Sequence, residues 1–297
     1  MSIQRPHYDS RLDDQSDMKL SHHSYGKSAV RVLKVIRNDA RHSVKELEVS
    51  VMLHGAFEAS YTGSDNRAIV PTDTIKNTVR VLALKHLGEE TEEFGAVLAG
   101  HFVKTYSQVT SAQVSLRERL WQRMTLAGAA HPHSFCAAGA GIPIAEVTCG
   151  KGEMSVISGI DDLLMLKTTE SGFEGFAKDQ LTTLPETRDR ILATKLEARW
   201  DYRQKPASYG QSNDRIVRAM QDTFADTYSP SVQATLYQMG KAALSAIGEI
   251  EEIRLVLPNK HYLPANLALL GVENRNELFI PTDEPYGRIE GAVRRTD

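Results

Sequence analysis

Alternation between apolar and polar residues is the feature of this sequence that most constrains its fold. Between residues 46 and 53 every second residue is aliphatic, and those residues are Leu47, Val49, Val51 and Leu53. A second run, 195–202, alternates Lys, Glu, Arg and Asp with Leu, Ala, Trp and Tyr. Successive side chains of a strand point to opposite faces, so a period of two predicts strands with one buried face. The chain is therefore expected to build an antiparallel sheet that needs a covering layer.

Strand and helix patterns follow one another in the same order in both halves of the chain. The first half contains strand patterns at 28–37, 46–53, 114–124 and 142–148, with one helix beginning near Thr72 and a second helix for which Thr91 is a candidate cap. The second half contains strand patterns at 163–169, 195–202, 250–257 and 277–281, with helices around 216–224 and 236–247. The sequence predicts an α+β fold of two tandem ββααββ repeats, 25–150 and 151–297, forming one antiparallel sheet with the helices on one face.

One helix start, within Val70–Thr78, has the composition of a small-molecule site. Pro71 disfavours helix for the residue before it, and Thr72 and Asp73 are both suited to the N-cap position. Backbone N–H groups, a hydroxyl and a carboxylate would then meet at the partly positive end of a helix, which suits an anion or a polarised small molecule. An ordinary capped helix has the same local pattern, so this segment alone leaves both interpretations open.

Composition and charge narrow the class of protein. The 297 residues carry a net charge of −3 and are 41 % hydrophobic, so neither nucleic acid nor a membrane is an expected partner. No apolar run approaches the roughly 20 residues that span a bilayer, and Cys136 and Cys149 form no CxxC motif. The polar segment 1–24 lacks a signal-peptide core and is expected to be a flexible arm. These features, with a C-terminal tripeptide that is no peroxisomal address, predict a cytoplasmic and bacterial protein.

Six sequence blocks, taken together, resemble the urate oxidase (uricase) family. They are YGK at Tyr25–Lys27, VPTDTIKNT at Val70–Thr78, HPHSF at His131–Phe135, the segment Leu166–Arg190, SVQAT at Ser231–Thr235 and LPNKHY at Leu257–Tyr262. The resemblance implies the tunnelling fold (T-fold), a homotetramer with a central tunnel, and active sites at subunit interfaces. Long edge strands also favour association between copies. The implied reaction is oxidation of urate by dioxygen and water to 5-hydroxyisourate and hydrogen peroxide, with neither a metal nor an organic cofactor.

The resemblance also implies which residues bind the purine. Phe173 matches the phenylalanine that stacks on the flat ring, and Arg190 matches the arginine that grips one edge of urate. A guanidinium pairs bidentately with planar anions, although by residue type alone Arg188 would be an equal candidate. The backbone N–H of Val232 and the side-chain amide of Gln233, which offers a donor and an acceptor, match the opposite edge.

Proton handling is assigned by the same resemblance to Lys27, Thr72 and His261. Burial lets a lysine act as a base by lowering its pKa, a threonine hydroxyl can pass a proton onward, and a histidine titrates near neutral pH. Thr72 and Asp73 are also implied to contact the substrate from the neighbouring subunit, Asp73 through its backbone N–H. Asn259 matches the residue beside the position of dioxygen and peroxide, above the purine plane.

Two alternatives stay open beside this interpretation. His131 and His133 could bind zinc, which would fit a zinc-dependent pterin or purine enzyme of the same fold, but no third ligand is evident nearby and no metal site is predicted. A purine-binding tetramer that lost catalysis would keep the pocket as well. The presence of all four residues matched to proton and oxygen handling argues against an inactive protein.

Overall fold

The computed structural model describes residues 19–38 and 40–296. The predicted arm, 1–24, lies outside these residues except for 19–24, which form neither helix nor strand. The strands are β1 Tyr25–Asn38, β2 Arg41–Gly55, β3 Val109–Arg119, β4 Trp121–Leu126, β5 Ala129–Ala137, β6 Ile142–Gly150, β7 Met154–Lys167, β8 Leu192–Tyr202, β9 Ile250–Pro264 and β10 Phe279–Arg294. The helices are α1 Glu58–Thr62, α2 Thr72–His86, α3 Thr91–Thr105, α4 Tyr209–Asp226 and α5 Val232–Ala246, with a 3-10 turn at Ala268–Leu270.

One eight-stranded sheet carries the fold. Its strand order is β1-β2-β3-β6-β7-β8-β9-β10, and every neighbouring pair is antiparallel. Each half of the chain supplies two strands of this sheet, then a pair of long helices, then two further strands of the sheet. The short helix α1 and the hairpin β4–β5 are additions in the first half. The predicted α+β fold of two tandem ββααββ repeats is therefore confirmed.

The period of two places the core as predicted. Leu47, Val49, Val51 and Leu53 of β2 are all fully buried, and Trp200 on β8 is fully buried as well. This face packs beneath the long helices: Ile75 and Val79 of α2 and Leu98 of α3 complete the first cluster. Ile216 and Met220 of α4 and Met239 of α5 complete the second. Burial of this apolar face provides the main driving force for folding the sheet and its helices together.

The two hydrophobic clusters support the proposed boundary between repeats near residue 150. The fully or nearly buried residues of the first cluster lie between 30 and 147, and those of the second lie between 160 and 293. Each repeat thus has a core of its own beneath its own helix pair. Among the helices of the described residues, none has the length and hydrophobicity needed to cross a bilayer.

A small second sheet was not predicted from the sequence. The expected strand 114–124 ends at Arg119, and β4 pairs only with β5, as a separate two-stranded sheet. The indole N–H of Trp121 donates to Glu46 of the main sheet at 2.9 Å, which fixes the base of this hairpin. Met124 and Leu126, further along β4, are 47 % and 70 % exposed. Apolar alternation thus continues into the hairpin although it covers no core there.

Glu92, in the first turn of α3, connects the two repeats. Its side chain is nearly buried, with the residue 3 % exposed. Its carboxylate accepts hydrogen bonds from the hydroxyl of Ser158 on β7 and from the amide of Asn213 on α4, the latter at 2.7 Å. Asn213 in turn accepts from the indole N–H of Trp200 at 3.0 Å. A buried carboxylate is tolerated here because both repeats supply donors to it.

Replacing Glu92 with alanine tests this connection. The change leaves the Ser158 hydroxyl and one amide N–H of Asn213 unpaired in a buried place, so we expect the free energy of unfolding to fall by roughly 1–3 kcal/mol. Glu93→Ala is the matched control, since Glu93 pairs with Lys205 and its side chain is 52 % exposed; we expect a change within about 0.5 kcal/mol there. Denaturant unfolding of both variants at one protein concentration provides the comparison. Equal losses for the two variants would contradict the role of Glu92.

Candidate active site

A cleft at one end of β8 and β9 contains four of the residues that the sequence singled out. The cavity has a volume of about 300 Å³, and Phe173, Arg190, Asn259 and His261 line it. Two larger cavities, of about 440 and 650 Å³, lie near the middle of the sheet. The first has no aromatic residue in its lining, and the Trp200 that borders the second is fully buried. Of these three cavities, the smaller cleft is the one in which an aromatic ring that is not fully buried lies beside a cation.

The loop between β7 and β8 holds Phe173 and Arg190 together. Phe173 and Thr187 exchange two backbone hydrogen bonds, at 2.7 and 3.1 Å, and the N–H of Arg190 donates to the carbonyl of Ser171 at 2.8 Å. The guanidinium carbon of Arg190 lies 5.4 Å from the centre of the Phe173 ring. Phe176 stacks on the same ring, with the centres 4.9 Å apart. The loop is thus a closed turn that presents an aromatic face and a guanidinium on one side.

Arg190 and Arg188 have different surroundings in the structure. Arg188 pairs with Glu174 at 2.9 Å, its side chain is 86 % exposed, and it does not line the cavity. Arg190 is half-buried, and its Nε is a buried atom without a hydrogen-bond partner among the described residues. Burial lowers the pKa of Arg190 from its ordinary value, but an arginine stays protonated at any physiological pH. Arg190 therefore presents a partly desolvated charge with donor capacity left unused.

Val232 and Gln233 form the first turn of α5, next to the cleft. Ser231 is the N-cap, and its hydroxyl accepts from the N–H of Ala234 at 3.1 Å. The N–H groups of Val232 and Gln233 precede the first intrahelical donor, the N–H of Thr235, so the helix itself leaves them free. The carbonyl of Ser229 accepts from the N–H of Gly172 at 2.8 Å, which ties this helix start to the loop of Phe173. Neither Val232 nor Gln233 lines the cavity; the bond between Ser229 and Gly172 connects their helix to the loop that carries Phe173.

Asn259 and His261 lie on β9, facing the same side of the sheet as the buried Leu257. In the ladder Asn259 pairs with Gly287 of β10, and His261 pairs with Thr282. The residues between these two partners, 283–286, form a bulge, and such a bulge re-aims the side chains next to it. The bulge therefore lies directly opposite the two predicted residues.

Lys27, Thr72 and Asp73 form a second group, in the first repeat. The hydroxyl of Tyr25 accepts from the N–H of Val70 at 2.7 Å, which ties the start of β1 to the turn before α2. The Asp73 carboxylate accepts hydrogen bonds from Lys76 and Asn77. The hydrogen bond from Lys76 is the main reason why the pKa of Asp73 is lowered, and the charge of Lys27 contributes too. Lys27 and Asp73 are therefore close enough for their charges to interact.

The predicted helix caps at Thr72 and Thr91 are wrong. Pro71 occupies the N-cap position of α2 without a side-chain cap bond, and Thr72 is the first helical residue, with an exposed side chain. Glu90 occupies the corresponding position of α3, while the Thr91 hydroxyl donates to Glu118 at 3.0 Å. In α2 the side chains of Thr72 and Asp73 are thus free of a capping role and face solvent in the single chain.

One chain does not bring the two groups together. Lys27 lies on β1 and His261 on β9, and β9 is six strands from β1 in the sheet. At roughly 4.8 Å per strand this corresponds to about 29 Å measured along the sheet. The three residues matched to proton handling are therefore split, with Lys27 and Thr72 at one edge and His261 near the other.

His131 and His133 belong to the β4–β5 hairpin rather than to the cleft. Their ring centres are 4.6 Å apart, and His42 lies 6.2 Å from His133. Arg123 donates to the carbonyls of His131 and Pro132, both at 2.8 Å. Within 19–38 and 40–296 no group of three or more histidine, cysteine or acidic residues is placed to hold a metal ion. The local role of this motif is to shape the hairpin around Arg123.

Apolar side chains that the sequence patterns do not reveal complete the cleft. Leu184, Ile191, Tyr262 and Phe279 contribute apolar surface. Tyr262 falls within a matched block, but Phe279 begins an edge strand and carries no local signal of its own. Lining of this kind depends on which strands are neighbours, which a periodic pattern does not reveal.

The fold and the cleft together define a tunnelling-fold protein with an aromatic and arginine site at the end of its sheet. The family model for uricase matches residues 23–148 and 156–290. A uricase from Dictyostelium discoideum is 41 % identical over 276 residues, covering 92 % of this chain and 96 % of the relative. A uricase from Oryctolagus cuniculus is 40 % identical over 286 residues, covering 94 % and 95 %. The chain belongs to the uricase family.

Solved structures agree with this assignment. The crystal structure of uricase from Arthrobacter globiformis has a TM-score of 0.90 with this chain at 38 % identity, covering 94 % of this chain and 96 % of the other. A urate oxidase from Bacillus sp. TB-90 has a TM-score of 0.81 at 22 % identity, covering 92 % and 100 %, which shows the shared fold.

Proposed function

We propose that this protein oxidises urate with dioxygen and water to 5-hydroxyisourate and hydrogen peroxide, as a step of purine degradation, without a metal or an organic cofactor. The observation that carries the proposal is the position of the Arg190 guanidinium, 5.4 Å from the Phe173 ring, in a cleft that Asn259 and His261 also line. Membership of the uricase family supplies the substrate class.

Binding of a flat anion follows from the chemistry of the cleft. Stacking of a purine on an aromatic ring is worth roughly 1–3 kcal/mol, and Phe173 presents a ring already fixed by stacking on Phe176. Arg190 offers a partly desolvated guanidinium that suits a planar, negatively charged edge. The free N–H groups at the start of α5, with the amide of Gln233, would hold the opposite edge. Groups held in place beforehand bind without a cost of reorganisation.

Oxidation of bound urate requires loss of a second proton before electrons pass to dioxygen. We propose that Lys27 and Thr72 remove this proton, with His261 as the third member of the relay. Two electrons then reduce dioxygen to peroxide beside Asn259, and water adds to the oxidised ring to give 5-hydroxyisourate. The electron count balances because urate loses two electrons and dioxygen gains two. No step requires an additional oxidant.

The separation of the two residue groups leads to a proposal about assembly. Because Lys27, Thr72 and Asp73 lie about 29 Å along the sheet from β9 in one chain, we propose that a second copy supplies them to each cleft. A homotetramer in which each active site lies at a subunit interface satisfies this requirement. The exposed Thr72 and Asp73 are then available to the neighbouring copy.

A cytoplasmic location and a bacterial source are also part of the proposal. The two cysteines are both free in the structure, Cys136 exposed and Cys149 half-buried. Unpaired cysteines fit a reducing compartment.

The first experiment follows the near-ultraviolet absorbance of urate in air with a chelator present, together with the yield of hydrogen peroxide. Loss of absorbance with one peroxide per urate supports the proposal. Activity that disappears with the chelator and returns with zinc would instead favour a zinc-dependent pterin or purine enzyme. Tight urate binding in equilibrium dialysis, without oxygen consumption, would favour an inactive purine-binding tetramer.

Substitutions in the proposed relay test whether Lys27 and Thr72 take the proton from urate. We expect Lys27→Met or Thr72→Ala to lower turnover by roughly 10²- to 10⁴-fold, because each removes a group that transfers a proton. Lys85→Met is the matched control, since Lys85 is exposed at the far end of α2. Its turnover should stay at the wild-type value. Unchanged turnover in both relay variants would remove Lys27 and Thr72 from the mechanism.

Mixing of inactive variants tests the shared site. We expect Arg190→Ala to raise KM for urate strongly and Lys27→Met to lower turnover by roughly 10²- to 10⁴-fold, but co-expression of the two should restore activity. In a random mixture about one quarter of the sites combine an intact Arg190 cleft with an intact Lys27 from the neighbour. Arg190→Ala mixed with Phe173→Ala is the control, because both changes damage the same half of the site and no intact combination forms. Absence of recovery in the first mixture would contradict the interface proposal.

A further inference from the structure

Thr194 on β8 is a buried polar residue whose hydroxyl has no hydrogen-bond partner among the described residues. The residue is 1 % exposed and lies between the buried Leu192 and Leu196 on the core face of the strand. Buried hydroxyl groups in folded proteins are nearly always paired, because an unpaired one retains the cost of leaving water. A valine would fill the same volume without this cost, so the hydroxyl at this position calls for a partner.

The sheet register identifies that partner. Thr194 pairs with Met165 of β7 on one side and with Asn259 of β9 on the other. Directly opposed residues of an antiparallel pair project from the same face, with Cβ atoms about 4.5–5.5 Å apart. Among the cross-strand neighbours and the flanking Leu192 and Leu196, Asn259 is the one with a polar side chain. Asn259 lines the cleft, whereas Thr194 lies behind it and does not.

We propose that Thr194 is a positioning residue that acts through Asn259. Its hydroxyl donates to the carbonyl oxygen Oδ1 of Asn259 when the site is assembled, and so turns the amide Nδ2 toward the cleft. The two ends of a carboxamide have nearly the same size, so its partners determine its orientation. At the separation of a directly opposed pair, one change of rotamer is sufficient to make this bond.

The orientation of the Asn259 carboxamide decides whether its N–H donors or its carbonyl oxygen face dioxygen and the peroxide formed from it. With Nδ2 toward the cleft, Asn259 offers donors to dioxygen and to the peroxide that forms from it. With the amide reversed, Oδ1 faces the developing negative charge and repels it. The inference rests on the proposed function, since it assigns a partner to the residue placed beside dioxygen. It leaves urate binding by Phe173 and Arg190 unaffected, because neither residue contacts Thr194 in the ladder.

Steady-state kinetics with dioxygen as the varied substrate provide the test. Thr194→Val keeps the volume and removes the hydroxyl, and we expect kcat divided by KM for dioxygen to fall about tenfold, the rate equivalent of one ordinary hydrogen bond. KM for urate should change by less than a factor of about two. Thr194→Ser, which keeps the hydroxyl, should recover most of the loss.

Two further variants separate positioning from packing. Met165→Leu alters the other cross-strand neighbour of Thr194 without touching a polar atom, and its dioxygen kinetics should match the wild type. In an Asn259→Ala background, Thr194→Val should add no further loss, because the two residues act as one unit. Thermal midpoints of all variants are measured alongside, and Thr194→Val is expected to match or exceed the wild type.

Several results would overturn the inference while the proposed function stands. These are wild-type dioxygen kinetics in Thr194→Val, equal losses in the valine and serine variants, or the same loss in Met165→Leu. Additive losses with Asn259→Ala would also overturn it. If the wild-type protein binds urate but consumes no dioxygen, the proposed function itself fails, and that result is recognised before any variant is made.

Discussion

Five strands lie between β1, which carries Lys27, and β9, which carries His261, and the proposed chemistry depends on this separation. The order of strands in the sheet is fixed by backbone hydrogen bonds and by a buried face that extends across both repeats. Neither edge can therefore move toward the other without unfolding the core. In the proposed mechanism each chain carries one half of a site near one edge of the sheet and the other half near the opposite edge. Activity then becomes a property of the assembly, so conditions that separate the subunits are expected to stop the reaction before the chain unfolds.

Both halves of the proposed site lie beside an interruption in regular strand pairing. On β1 the register shifts between Lys27 and Val30, and Ala29 adopts a left-handed backbone conformation with φ 56°. On β10 the register shifts between Thr282 and Gly287, opposite Asn259 and His261. Bulges increase the local twist and change the direction of neighbouring side chains. The regular sheet supplies rigidity, and the two bulges supply the local geometry that a flat ladder does not offer.

At the bulge in β1, the close approach of the β1 and β2 backbones restricts which residue can occupy position 26. A Cβ atom at Gly26 would lie 1.8 Å from the carbonyl oxygen of Val51, a backbone atom that cannot move aside. Glycine is therefore required directly before Lys27, and any other residue would push β1 away from β2. The position of the proposed base thus depends on the absence of a side chain at its neighbour.

The sequence predicted the parts of the fold that depend on local periodicity. The alternation around Val49 and around Trp200 identified the buried face, because a side chain's face is determined by its position in the strand. The same alternation failed at Met124, where β4 leaves the main sheet although its pattern is unchanged. The caps at Thr72 and Thr91 failed because neighbouring residues took the cap positions and the threonine side chains were left for other contacts.

The candidate site was proposed from family resemblance, and residue type alone contributes much less. Arg188 and Arg190 are chemically identical, and only the hydrogen bonds that close the loop after Phe173 decide which one reaches the cleft. Thr194 carried no signal at all, because a threonine within an apolar strand has high β propensity and needs no functional explanation. Its neighbour across the ladder becomes known only when the register is known.

Among the described residues, most buried side-chain polar atoms without a hydrogen-bond partner lie around the cleft. Four such atoms occur in the described part of the chain, Asp161 Oδ1, Ser171 Oγ, Arg190 Nε and Thr194 Oγ1, and the last three lie around the cleft. Asp161 is compensated by charge, since Arg199 lies 2.6 Å from that oxygen. The other three belong to the loop of Phe173 or to the strand behind Asn259. Folding leaves these groups desolvated and fixed, so in the proposed complex Arg190 can bond to an anion, and Thr194 to Asn259, without reorganisation of the chain. The stability lost to such unpaired groups is then recovered as binding and orientation in the complex.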